Sequence, residues 1–165
     1  MLVDPSLVLV KMLDTQQSAS QDIARCEHVS LTEWTQIYQR ISDSPEQLQQ
    51  LHNLILHGIQ KDTFHAVDRH TDKDLACGLG VLDGPLLGLF DLITHPLARR
   101  KGIASNLVEE ICQWANKRKA RTCYLQVAQN NTPARSLYAT MGFKPAYRYW
   151  YRVSPASTSQ SDSER

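Results

Sequence analysis

The chain has 165 residues, 42% of them hydrophobic and 21% charged, which suits one globular domain and excludes a wholly disordered, collagen-like or disulfide-scaffolded protein. Its formal net charge of +1 argues against a strongly basic nucleic-acid binder. That average hides a split: residues 1–96 carry six basic and thirteen acidic side chains, net −7, whereas residues 97–165 carry twelve and four, net +8.

The first expected strand is Ser6–Leu13, followed by a polar stretch over residues 14–28 that reads as a loop. Ser30 and Glu33 have the spacing of a capping box, and Trp34, Ile37, Tyr38 and Ile41 continue at helical intervals. Pro45 opens a second helix with Leu48, Leu51, Leu54, Ile55 and Ile59 on one stripe and Gly58 near its end. Three strands follow: Thr63–Val67, Leu75–Leu82 and Leu86–His95, the last two joined by the turn signal Asp83-Gly84-Pro85. Gly78-Leu79-Gly80 lacks both a following helix and the third glycine of a dinucleotide loop, so it reads as a glycine-rich hairpin strand.

A helix to about Arg118 carries Ile103, Leu107, Val108, Ile111, Cys112 and Ala115 on one stripe. Thr122–Ala128 is a strand, Asn131-Thr132-Pro133 starts a short helix that Gly142 ends, and Pro145–Val153 closes the pattern. This order predicts a mixed α/β (α+β) domain over residues 1–153. A polar, disordered tail is expected over 154–165. Cys26, Cys77, Cys112 and Cys123 form no CxxC pair and no zinc-spaced cluster, so free, buried thiols and no metal site are expected. No apolar stretch is long enough to span a bilayer and Met1–Pro5 lacks the basic start of a signal peptide, so a cytoplasmic protein with no membrane partner is expected.

Chemistry concentrates where the expected strand runs through Thr94-His95-Pro96 into Arg99-Arg100-Lys101-Gly102-Ile103-Ala104-Ser105 and a helix. A helix N-terminus offers backbone N–H groups and a positive dipole end to an anion, and a glycine allows close approach. Phosphate or pyrophosphate is the natural ligand of such a turn; a solvated basic loop is the plain alternative. Lys117-Arg118-Lys119 and Arg121 are accounted for by a solvated helix C-terminus, and no nucleic-acid partner is expected.

Arg99-x-x-Gly102-x-Ala104 matches the (Gln/Arg)-x-x-Gly-x-(Gly/Ala) signature of the GNAT N-acetyltransferase superfamily. Asn131-x-x-Ala134-x-x-Leu137-Tyr138-x-x-x-Gly142-Phe143 resembles that family's second block, and the two stand in the family's order over residues 89–143. The resemblance implies a GNAT-like fold: a central, mostly antiparallel twisted sheet of about six to seven strands flanked by about four helices, splayed at the acetyl-CoA strand. It implies an acetyl-CoA-dependent N-acetyltransferase acting on a primary amine of a small molecule or peptide. A non-catalytic acyl-CoA-binding or regulatory module on the same fold is the alternative, and either a monomer or a homodimer fits.

Carried over by residue, the resemblance assigns backbone pairing with the pantetheine arm to Leu92, Ile93 and Thr94, where Thr94 replaces a usually aliphatic residue. It assigns the pyrophosphate to Arg99, Arg100, Lys101, Gly102, Ile103, Ala104 and Ser105, and further cofactor contacts to Asn131 and Ala134. Tyr138 takes the position of a general acid near the cofactor sulfur, the alternative being a core tyrosine packed on Phe143. Asp91 is the first candidate base and His95 the second, with no sequence signal for which face of the strand meets the acceptor. Trp34, Tyr38 and Tyr149, the last within the aromatic run Tyr147–Tyr151, are the expected acceptor-side residues; packing of the sheet is the alternative for that run.

Overall fold

The structure is a computed structural model, and it describes residues 2–13, 26–71 and 73–152. In chain order the elements are β1 (Leu2–Met12), β2 (Cys26–His28), α1 (Leu31–Ser42), α2 (Glu46–His57), β3 (Asp62–His70), β4 (Lys73–Asp83) and β5 (Leu86–Thr94). After a single 3-10 turn at Pro96–Ala98 come α3 (Ile103–Lys117), β6 (Thr122–Ala128), α4 (Thr132–Thr140) and β7 (Lys144–Arg152). The predicted mixed α/β class is what is observed, with seven strands and four α-helices among the described residues. The short strand β2 falls inside the stretch read as loop, and residues 14–25 and the expected tail at 154–165 lie outside the described residues.

The strands form one sheet in the order β2-β3-β4-β5-β6-β1-β7. Every neighbouring pair is antiparallel except β5–β6, which runs parallel because α3 carries the chain back over the sheet. Along β4, alternation sends Ala76 and Leu82 into a core shared with α3 and α4, and Cys77 and Leu79 into a second core under α1 and α2. Gly78 and Gly80 lie on the α3 face, where an added Cβ would collide with Leu92 or with Ile111. Their smallness lets α3 lie close on β4, and the pair sits in a hairpin strand as read from the sequence.

Ser30 caps α1 as expected, its Oγ accepting from the Glu33 N–H at 3.2 Å. The reciprocal half of the capping box is absent, because the Glu33 carboxylate accepts from Arg69 instead (2.8 Å). Arg69 also pairs with Glu27 and Asp74, tying β2, α1 and β4 to β3. Burial pushes the Asp74 carboxyl up, but hydrogen bonds from Arg69 and Arg40 outweigh it and hold the group below its ordinary value. The stability this confers is present above the unfolded value and is lost as pH falls through the folded one.

The apolar stripe read on α2 does not enter the core. Leu48, Leu51, Leu54 and Ile55 are 56–73% exposed, and the helix packs instead through His52 and Leu56, with Ile59 half-buried just beyond it. Of the four thiols, Cys77, Cys112 and Cys123 are buried, Cys26 is half-buried, and all are free. Burial pushes Cys26 and Cys77 up to about 12, so they are protonated at neutral pH.

Gly80→Ala should destabilise the fold by roughly 1–3 kcal/mol through overpacking against α3, measured by denaturant unfolding; a neutral effect would contradict the close α3–β4 contact. Arg69→Met should destabilise by roughly 1 kcal/mol, because Glu27 and Glu33 lose their cation while Asp74 keeps Arg40, and the loss should shrink as pH is lowered toward the carboxylate range.

Candidate functional site

β5 pairs with β6 only from Leu86 to Leu89, opposite Thr122 to Leu125. Beyond Leu89 it keeps its partner β4 as far as Thr94 but has left β6. Phe90–Thr94 therefore presents one row of backbone groups to open space, a ready template for an extended ligand. A cleft of about 580 Å³ fills that opening. Its walls include Leu92, Ile93 and Thr94 from β5, Arg99, Arg100, Gly102, Ile103, Ala104 and Ser105 from the turn and α3, and Asn131, Ala134 and Tyr138 from α4. Lys101 is the exception among the cofactor-side residues named from the sequence: it is exposed and does not line the wall.

The turn before α3 is tight and basic. Arg100 and Gly102 both have positive φ, 61° and 76°, which folds the backbone tightly before α3. A Cβ on Gly102 would meet nothing within 4 Å, so conformation rather than crowding selects glycine here. The N-terminus of α3 has no side-chain cap and no acidic residue in its first turn. Its leading N–H groups and dipole thus face the cleft together with Arg99 and Arg100.

Tyr138 is buried on the opposite wall, its ring edge-on to Phe143 at 5.7 Å. It packs on Phe143, as one sequence reading has it, and it also lines the cleft. Burial pushes its phenol up to about 12, so it remains a proton donor at neutral pH. Asn131 caps α4, its Oδ1 accepting from the Ala134 N–H at 3.2 Å, while it also borders the cleft.

On the other face of β5 the strand alternation is broken. Cys77 pairs with Ile93 and Leu79 with Phe90, so Asp91 and Leu92 together oppose Gly78 in a β-bulge, with Asp91 at φ 50°. Leu92 packs toward α3, whereas Phe90 and Ile93 pack under α1 and α2. Asp91 joins that second face, where its Oδ2 lies 2.8 Å from His52 Nε2 of α2. A carboxylate only accepts, so His52 Nε2 carries the hydrogen. The Tyr38 ring is 4.7 Å from the His52 ring, and burial, reinforced by Asp91, holds the Tyr38 phenol above its ordinary value. His52 was missed in the sequence; it sits on a helix whose apolar stripe drew attention to the wrong side.

The structure also places three further residues named from the sequence. Trp34 has no exposed surface, and its Nε1–H donates to the carbonyls of Ala66 (3.2 Å) and Gly78 (3.1 Å), bridging β3 and β4. It supports Tyr38 from below, stacked at 5.3 Å, rather than touching an acceptor. Tyr149 lies on β7, separated from β5 by β6 and β1 in the sheet. Its hydroxyl donates to Gln126 Oε1 at 2.8 Å on the same face of the sheet as Tyr124. His95 caps the 3-10 turn, its Nδ1 accepting from the Leu97 N–H.

Residues 29–143 match the sequence profile described as the Acetyltransferase (GNAT) family. The chain is 33% identical over 85 residues to the uncharacterized N-acetyltransferase YobR of Bacillus subtilis (strain 168), a stretch that is 50% of this chain and 34% of that relative. Among solved structures it resembles the GCN5-related N-acetyltransferase of Sphaerobacter thermophilus, with a TM-score of 0.70 at 20% identity, covering 91% of this chain and 51% of that one. It also resembles AAC(6')-Iy, solved with the bisubstrate analogue CoA-S-monomethyl-acetylneamine, with a TM-score of 0.64 at 12% identity over 78% of this chain and 96% of that one. The chain therefore spans about a third of the curated relative and about half of the first of these two structures.

Trp34→Phe keeps a buried ring but removes the N–H donor to two strand carbonyls, and should cost about 1–3 kcal/mol of stability. Because Trp34 does not reach the cleft, the variant should leave ligand affinity within about twofold at a temperature where it is folded, as read by calorimetry.

Proposed function

The chain belongs to the Acetyltransferase (GNAT) family, and from that premise we propose that it transfers the acetyl group of acetyl-CoA to a primary amine of a small molecule or peptide by direct attack on the thioester. The observation that carries this reading is one continuous cleft with an anion-binding turn at one end, a free strand edge along its side and a buried phenol opposite. That arrangement fits the chemistry of the donor: a pyrophosphate for the α3 N-terminus with Arg99 and Arg100, and an amide-bearing arm for the edge of Leu92, Ile93 and Thr94. The fold neighbour solved with a bisubstrate CoA analogue is consistent with donor and acceptor meeting on such a scaffold.

Bound acetyl-CoA supplies an activated acyl group. The chain's own residues do the rest. Free backbone N–H groups of β5 stabilise charge that builds on the thioester oxygen. Asp91, from the α1–α2 face of the bulge, accepts the proton that the ammonium must lose before it attacks. Tyr138, a protonated phenol at neutral pH that burial pushes further up, to about 12, returns a proton to the departing thiolate. Tyr38 and the rings beside Asp91 form the approach to the amine and favour a cation there.

Acetyl-CoA with a panel of primary amines and thiol detection should show amine-dependent release of CoA. Binding of acetyl-CoA without amine-dependent release would favour the non-catalytic acyl-CoA-binding module. Tyr138→Phe should lower kcat roughly a hundredfold or more with little change in CoA affinity by calorimetry. Unchanged turnover would remove Tyr138 from the acid role.

A further inference from the structure

We infer that His52 of α2 is a positioning residue for Asp91, holding its carboxylate toward the amine, and that it does not itself exchange the proton. The inference rests on the reading of Asp91 as the proton acceptor. Asp91 sits in a left-handed bulge of β5, a conformation that sets its side chain apart from the regular alternation and gives its carboxylate no direction from the pleat. His52 supplies that direction: Nε2 lies 2.8 Å from Oδ2, and its ring is wedged beside Tyr38 at 4.7 Å and Trp34 at 6.3 Å.

The other ring nitrogen decides between positioning and relay. Nδ1 is buried and has no hydrogen-bond partner among the described residues. A relay through the protein needs a second side chain at Nδ1 to receive or deliver the proton, and among the described residues none meets it. The carboxylate therefore selects one tautomer, with hydrogen on Nε2, and the aromatic walls keep it there. Oδ2 is tied to His52, and Oδ1 is left to take the proton from the incoming ammonium; no bond to His52 is made or broken in the step. The titratable groups around the pair are Tyr38 on α1 and Cys77 on β4, both neutral at physiological pH. The positioning device thus joins α2 to β5, and only in the folded domain is Asp91 aimed.

The test uses the full chain, acetyl-CoA and the best-turned-over amine of the panel. His52→Phe keeps the ring volume and removes the donor, and should lower kcat up to roughly a hundredfold with KM for acetyl-CoA within about twofold. His52→Gln, whose amide nitrogen can replace Nε2, should recover much of that loss. Adding His52→Phe to Asp91→Asn should cost nothing further, because His52 acts through Asp91. Nitrogen-15 spectra of the wild-type ring should show hydrogen on Nε2 alone. Undiminished kcat in a folded His52→Phe while Asp91→Asn is impaired, additive losses in the double variant, or a ring with hydrogen on Nδ1 would each overturn the positioning role. Normal turnover by Asp91→Asn would instead overturn the reading of Asp91 as base.

Discussion

The separation of β5 from β6 after Leu89 is the constraint on which the rest of this molecule depends. A strand buried on both edges has no hydrogen-bonding groups to offer. By leaving one partner and keeping the other, β5 stays rigid and still exposes a row of donors and acceptors. The bulge at Asp91–Leu92 lies within the same segment and turns one acidic side chain to the α1–α2 face while Leu92 faces α3. The strand thus divides the space around it, with the cleft along its free edge and an acid, a histidine and a tyrosine on its other face.

The two ends of the cleft are held by unlike physics. At one end, positive φ at Arg100 and Gly102 aims an uncapped helix N-terminus into the opening, a polar arrangement that asks for an anion. At the other, Tyr138 is packed against Phe143 and loses water, which keeps its proton in place. The charge change just before Arg99 reflects this division. Of the basic residues beyond it, Arg99 and Arg100 reach the cleft wall, and Lys101 stays at its exposed rim.

Local rules made much of this legible from residues alone. Helix caps, turn glycines and apolar periods located all four helices and most strands, and the spacing Arg99-x-x-Gly102-x-Ala104 with the Asn131–Phe143 block pointed to residues that line one cleft. What escaped was set by contacts distant in sequence. β2 has only three residues and exists because β3 pairs with it. The bulge is defined by the register with β4, so strict alternation could not show where Asp91 points. His52 meets Asp91 thirty-nine residues away, and Trp34 is drawn under the sheet by carbonyls of β3 and β4. Tyr149 belongs to an aromatic run that reads as one wall, but strand order sets it beyond β6 and β1. The α2 stripe is the opposite case, a strong local pattern that the tertiary packing does not use.

Hydrogen–deuterium exchange of the full chain with and without acetyl-CoA addresses the central claim most directly, because it reads the free strand edge amide by amide. The account predicts slowed exchange confined to two segments, Phe90–Thr94 and the first turn of α3 at Ile103–Ser105, with Leu86–Leu89 already protected by β6 in both states. Unchanged exchange in those two segments at saturating acetyl-CoA, or protection elsewhere in their stead, would contradict it.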